Sequence, residues 1–160
     1  IEIGLSKLEE AEQTARRATR MDARHAGAWS ALGQALMAQK KEGAIEALQN
    51  SVRLQEDLNT LSLLGAAYNM AGNHAQAAGA LQKAVAGGVR SPTTLLELAT
   101  AMEGVGSVQD AIRVYQTLAG LQVREDAGDT EKQLLERIVS HATERLEALK
   151  SASPQRPAGR

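Results

Sequence analysis

Apolar residues recur along this chain at intervals of three and four, in blocks of about a dozen residues separated by short polar or glycine-bearing turns, which is the period of the amphipathic helix. The first block runs from Leu5 to Met21, with Leu8, Ala11, Ala15 and Ala18 on one face and Glu9, Glu12, Arg16 and Arg20 elsewhere. Blocks at Ala26 to Ala38, Glu42 to Leu54, Leu58 to Ala71, His74 to Ala86, Pro92 to Gly104 and Val108 to Ala119 follow. A last one from Thr130 to Lys150 carries Leu134, Leu135, Ile138, Val139, Ala142, Leu146 and Leu149 on one stripe. The pattern predicts helices throughout.

The punctuation between blocks agrees. Asp57 and Ser107 stand where an N-cap is wanted, Gly72-Asn73 ends one helix and caps the next, and Gly87-Gly88 is a stop. Ser91-Pro92 places a cap before a proline at the first helical position. Thr130 with Gln133 fits a capping box.

The blocks also repeat. Trp29-Ser30-Ala31-Leu32-Gly33-Gln34-Ala35-Leu36 aligns on Gly33 with Leu61-Ser62-Leu63-Leu64-Gly65-Ala66-Ala67-Tyr68, and then with Leu95-Leu96-Glu97-Leu98-Ala99-Thr100-Ala101-Met102. Each copy is followed by a second signature, Ala44-x-x-x-Leu48, Ala77-x-x-x-Leu81 and Ala111-x-x-x-Tyr115, and Ala11-x-x-x-Ala15 precedes them all. The unit is two helices. Gly33 and Gly65 each cost a helix interior about 1 kcal/mol against Ala, so close approach of the paired helix is the expected reason for them.

At these residues the chain resembles the tetratricopeptide family, whose unit reads W-x2-L-G-x2-Y, then A-x3-F, then P. The resemblance covers residues 5 to 120. The chain has no Phe, one Trp and two Tyr, and Trp29, Tyr68 and Tyr115 all fall on aromatic positions of that pattern. It departs in two respects: Ala23, Glu56, Val89 and Val123 stand where the closing Pro would be, and the first full copy is two residues short. The resemblance implies an all-α, right-handed α-α superhelical solenoid: a half-repeat at 1–25, repeats at 26–57, 58–91 and 92–125, a C-terminal capping helix at 126–150 and a disordered tail at 151–160.

Composition narrows the chemistry. With aromatics at 2%, the core must be aliphatic, and a formal net charge of -1 provides no field for nucleic acid or an anionic membrane. No apolar run reaches the length of a membrane span, and without cysteine there is neither a disulfide nor a thiolate site. Cytoplasm and periplasm both fit. The chain opens inside a repeat, which leaves room for a leader or anchor upstream.

No catalytic, metal or cofactor arrangement is predicted. His25, His74 and His141 are scattered and read as surface histidines near helix ends, and Gly87-Gly88-Val89-Arg90 lacks the spacing of a phosphate loop. Arg16, Arg17, Arg20 and Arg24 lie beside Glu9, Glu10 and Glu12, with Glu12 and Arg16 a favourable i,i+4 pair, so they read as a solvated convex face.

In the resembled family the first helices line a concave groove where partners bind. Here the first two carry no charged residue, and the third only Glu97 and Glu103. Counting from the aromatic position of each copy, the groove should present Ser30, Gln34 and Met37 with Gly27 and Ala38, then Asn59, Ser62, Ala66, Asn69 and Met70. The third copy adds Thr93, Leu96, Thr100 and Glu103 with Gly104. Amides can bond an extended backbone and Met adapts to apolar side chains. Ser30, Gln34 and Thr93 replace the basic or paired amide groups of the chaperone-tail clamp. The expected function is a non-catalytic scaffold holding a peptide or helix of a protein partner in a nearly neutral groove; the alternative is a docking or regulatory segment of a larger enzyme or assembly machine. Leu5 and Leu8, with Ile1 and Ile3, are expected to support homo-oligomerisation through the half-repeat.

Overall fold

The computed structural model describes residues 2–122 and 127–152, among which eight helices are found: α1 Glu2–Met21, α2 Ala26–Ala38, α3 Ala44–Leu54, α4 Leu58–Met70, α5 His74–Ala86, α6 Pro92–Gly104, α7 Val108–Ala119 and α8 Asp129–Ala152. The side chains of Ile1, Ile3 and Leu5, the Val123 end of the third repeat, and 153–160 of the expected tail lie outside the described residues; Ser151 and Ala152 continue α8.

The caps follow the sequence only in part. Asp57 Oδ2 accepts from Thr60 N at 2.7 Å and Ser91 Oγ from Thr94 N at 3.1 Å, as their residue types require. Asn73 and Ser107 precede α5 and α7 without a side-chain cap bond, because their backbones are not extended and do not aim the side chain at the first turn. Thr130 lies inside α8, which starts one residue earlier, so the expected capping box does not form. His25, which the sequence did not single out as a cap, accepts from Ala28 N through Nδ1 at 3.0 Å.

The helices stack in one order. α2/α3, α4/α5 and α6/α7 are helix-turn-helix pairs, and each second helix also packs on the next first helix: α3 on α4, α5 on α6, α7 on α8. α1 packs on α2 in the same second-helix place. Successive first helices touch one another, whereas successive second helices do not, so the first helices form the shorter, inner side of the curve. α8 packs on α7 and touches α6, which is the place of a further first helix. It therefore extends the inner side of the curve.

Glycine makes the pairs close. A β-carbon on Gly33 would stand 2.5 Å from Leu48 Cγ, and one on Gly65 would collide with Leu81 in the same way. Leu48, Leu81 and Tyr115 are the knobs of the three repeats, each buried to 1% exposure or less, and Ala99 receives the third. Each cluster of the core spans one joint of the stack, as when Leu48 meets Leu64 and Ala67 of the following helix.

Candidate functional site

The inner wall is sewn together by polar side chains at equivalent repeat positions. Ser30 of α2 bonds Thr60 of α4 at 3.2 Å, and Ser62 of α4 bonds Thr94 of α6 at 2.7 Å. Asn69 Nδ2 donates to the Glu97 carbonyl at 2.8 Å and to Glu97 Oε2 at 2.7 Å, while its Oδ1 pairs with His74 Nδ1 at 3.2 Å. In the third copy Glu103, four residues after Ala99 as Asn69 is after Gly65, makes an ion pair with Arg145 of α8. Tyr115 Oη donates to the same carboxylate at 3.2 Å. Burial raises the phenol's pKa, and Glu103 adds to the shift, so the hydroxyl keeps its proton and stays a donor.

These contacts divide the residues expected in the groove. Ser30, Ser62, Asn69 and Glu103 spend their polar atoms on the neighbouring helix, and Thr100 Oγ1 donates to the Leu96 carbonyl at 3.0 Å. Gln34, Asn59, Met70 and Thr93 are exposed, with Ala66 half-buried between them. Met37 is half-buried against two core clusters and Leu96 against the C-terminal one. α2 and α4 carry no charged side chain, so the first half of the wall is uncharged.

Two hollows open beside this wall. Thr93 and Leu96 meet Leu134, Arg137, His141 and Glu144 between α6 and α8. The sequence reading assigned α8 only a covering role and so missed this wall; the stripe of Leu134, Ile138 and His141, four and three residues apart, was the signal for it. The second hollow, about 730 Å³, lies at the turn edge of the first two repeats, where Met37, Ile45, Ala67 and Met70 are brought together.

The second hollow follows from the short first repeat. Gly43 has φ +88° and Lys40 φ +53°, so α3 begins at Ala44 and lacks the opening turn that α5 has. In the second repeat that turn supplies His74, whose ring lies against the bare backbone of Gly104. The residue equivalent to His74 in the first repeat, three before the signature alanine, is Lys41. It turns away, and Met70 is left 59% exposed.

Lys41 turns to Glu12, the one residue of the expected solvated face that is buried; Glu9, Glu10, Arg16, Arg17, Arg20 and Arg24 are exposed, and the i,i+4 pair of Glu12 with Arg16 is present. Glu12 is 8% exposed, paired with Lys41 Nζ at 2.8 Å and Arg16 at 2.8 Å, and it accepts from Gln39 Nε2 at 2.9 Å. Gln39 also donates to the Leu8 carbonyl at 3.1 Å. The lysine first, then the arginine, and in smaller part the glutamine hold the Glu12 carboxyl down from 4.5 to about 2, against the opposing effect of burial. The signal was i,i+4 spacing, which shows Arg16 but cannot show a turn 29 residues away.

Among the described residues no three of His, Cys, Asp and Glu gather as ligands for a metal ion, and no helix is long and apolar enough to cross a membrane. No protein-family model matches the chain, and no curated protein matches it in sequence. The structure is similar to a tetratricopeptide-repeat chain in the crystal structure of the APC/C hetero-tetramer Cut9-Hcn1, with a TM-score of 0.67 at 23% identity. The match covers 92% of this chain but 29% of that one, so the chain spans less than a third of its neighbour's length. The helix pairs, the glycine-for-leucine joints and this likeness agree: the chain has the tetratricopeptide-repeat fold, an all-α right-handed superhelical solenoid.

Proposed function

We propose that the chain is a non-catalytic protein-interaction module that holds a peptide or helix of a partner along the inner wall formed by α2, α4, α6 and α8. The observation that carries this reading is the state of the wall between α2 and α4. It is uncharged and offers Gln34, Asn59 and Met70 to solvent, while the neighbouring Ser30, Ser62 and Asn69 are bound into the scaffold. A hydrogen-bonded frame with the exposed amides of Gln34 and Asn59 and an adaptable thioether suits recognition of a segment by its backbone and apolar side chains.

The limited share of the matched chain favours a second reading at the level of the whole protein, in which this solenoid is the docking segment of a longer assembly subunit or enzyme. The test of the first reading is to capture a partner, reduce it to the bound segment, and map amide exchange on the complex. Protection along α2, α4, α6 and α8 is expected, and Ala66→Arg should weaken binding about tenfold or more. Protection confined to α3, α5 and α7, or indifference to Ala66→Arg, would move the site to the outer face.

A further inference from the structure

The hollow of about 730 Å³ at the turn edge of the first two repeats is bounded by the pairs α2/α3 and α4/α5, which are flanked in turn by α1 and α6. Its counterpart one repeat later shows what such a space holds. There His74, three residues before the signature Ala77, lays its ring against Gly104, five residues after Ala99. In the first repeat the same register gives Lys41 and Met70. Lys41 is drawn to Glu12 at 2.8 Å, so the chain supplies no ring of its own here.

The lining differs from the counterpart in the same sense. Met70 replaces Gly104 and Ile45 replaces Ala78, so the floor is apolar and, with Met37, carries two thioethers. Thioethers make favourable contacts with aromatic rings and adapt to their shape. The rim differs in charge. Glu42 and Glu46 stand where the second repeat has Ala75 and Gly79; both are exposed, and among the described residues neither has an ion-pair partner. With Lys41 spent on Glu12, they are opposed at the rim only by Lys40. Met70 belongs both to this floor and to the inner wall, which makes the two surfaces continuous.

We infer that this hollow is an anchor site for an aromatic side chain of a partner protein that carries a lysine or arginine next to it. The ring takes the place that His74 takes in the next repeat, among Met37, Ile45 and Met70, and the cation meets Glu42 and Glu46 at the rim. The partner's segment reaches the hollow along the inner wall, so the anchor rests on that reading of the wall and adds the chemistry of the segment.

A suitable probe is N-acetyl-tryptophanyl-arginine amide, which is small enough to enter the hollow without covering the wall. The chain has four methionines, whose isotope-labelled methyl groups report in NMR titrations where the ring settles. The signals of Met37 and Met70 should shift upfield and saturate with a Kd of about 1 mM or below. Those of exposed Met21, and of Met102 against the C-terminal core cluster, should stay in place. The alanyl-arginine amide should shift none of them, and the tryptophanyl-glutamate amide should bind about threefold more weakly. Glu42→Gln with Glu46→Gln should abolish that difference. Ala71→Phe, at an exposed position of the lining, should fill the hollow and weaken the first probe at least about tenfold with circular dichroism unchanged.

No saturable shift of Met37 and Met70 at about 10 mM probe, an equal shift of Met21, equal binding of the arginine and glutamate probes, or indifference to Ala71→Phe would overturn the anchor. The dipeptide does not need the wall, so the two readings fail separately. A silent hollow with a captured segment still sensitive to Ala66→Arg counts against the anchor alone, and an occupied hollow with an insensitive segment counts against the wall alone.

Discussion

Gly33 and Leu48 occupy one space: a β-carbon on the glycine would lie 2.5 Å from Cγ of the leucine, and Leu48 is fully buried. Gly65 and Leu81 repeat the arrangement one unit later. Gly65→Leu should therefore destabilise by about 1 to 3 kcal/mol or more through overpacking. That corresponds to a melting temperature lower by at least about 2 to 4 °C. Leu81→Ala, which empties the other side of the joint, should cost about 2 to 5 kcal/mol alone. In the double variant Gly65→Ala with Leu81→Ala the loss should be smaller than the sum of the single losses, measured by thermal unfolding. Strict additivity would mean that the two positions are not one joint.

The Glu12 clasp predicts a pH dependence. Its carboxyl is held at about 2 in the folded chain against an ordinary 4.5, so the folded state binds this proton less readily than the unfolded one. The stabilisation is then complete above about pH 4.5 and disappears as the pH falls towards 2. Glu12→Gln should melt below the parent chain at pH 7, and the gap should narrow steadily between pH 4.5 and 2. Exchange of α1 amides should accelerate first, since the clasp joins α1 to the α2–α3 turn. A gap that is the same at pH 7 and pH 2.5 would show that the charge of Glu12 is not what matters.

Asn69 and Gln34 look alike in the sequence but differ in the fold. Asn69→Ala removes two donated bonds to Glu97 and should cost about 1 to 2 kcal/mol in unfolding experiments. Gln34→Ala loses only a 3.4 Å contact with Ser30 at an exposed position and should leave stability within about 0.5 kcal/mol. Only the second change is a clean probe of the groove. Equal losses from both substitutions would contradict this assignment.

The uncharged wall of α2 and α4 makes partner binding insensitive to salt, on the proposed reading of function. Affinity for a captured segment should change less than about tenfold between roughly 50 and 500 mM salt. A steeper dependence, followed by isothermal titration, would place the contact on the charged hollow between α6 and α8, where Arg137 and Glu144 stand.

Much of this architecture was legible in one dimension because each repeat states it again. The three- and four-residue spacing located the helices, and the aligned glycines with the signature alanines paired them, since a glycine in a helix interior implies that something large approaches it. Asp57 and Ser91 marked helix starts because a cap bond spans only three residues and depends on local backbone. What tertiary structure decided were the relations between residues about thirty apart. Only stacking joins Asn69 to Glu97 and thereby makes an expected groove amide a strut, and only stacking draws Lys41 to Glu12 and leaves Met70 uncovered. α8 shows the same division: its apolar stripe was written in the sequence, but helical periodicity says which face is buried and not against what. Its place as a fourth first helix, and the hollow it closes with Thr93 and Leu96, came from the fit of Ile138, Ala142 and Leu146 to α7.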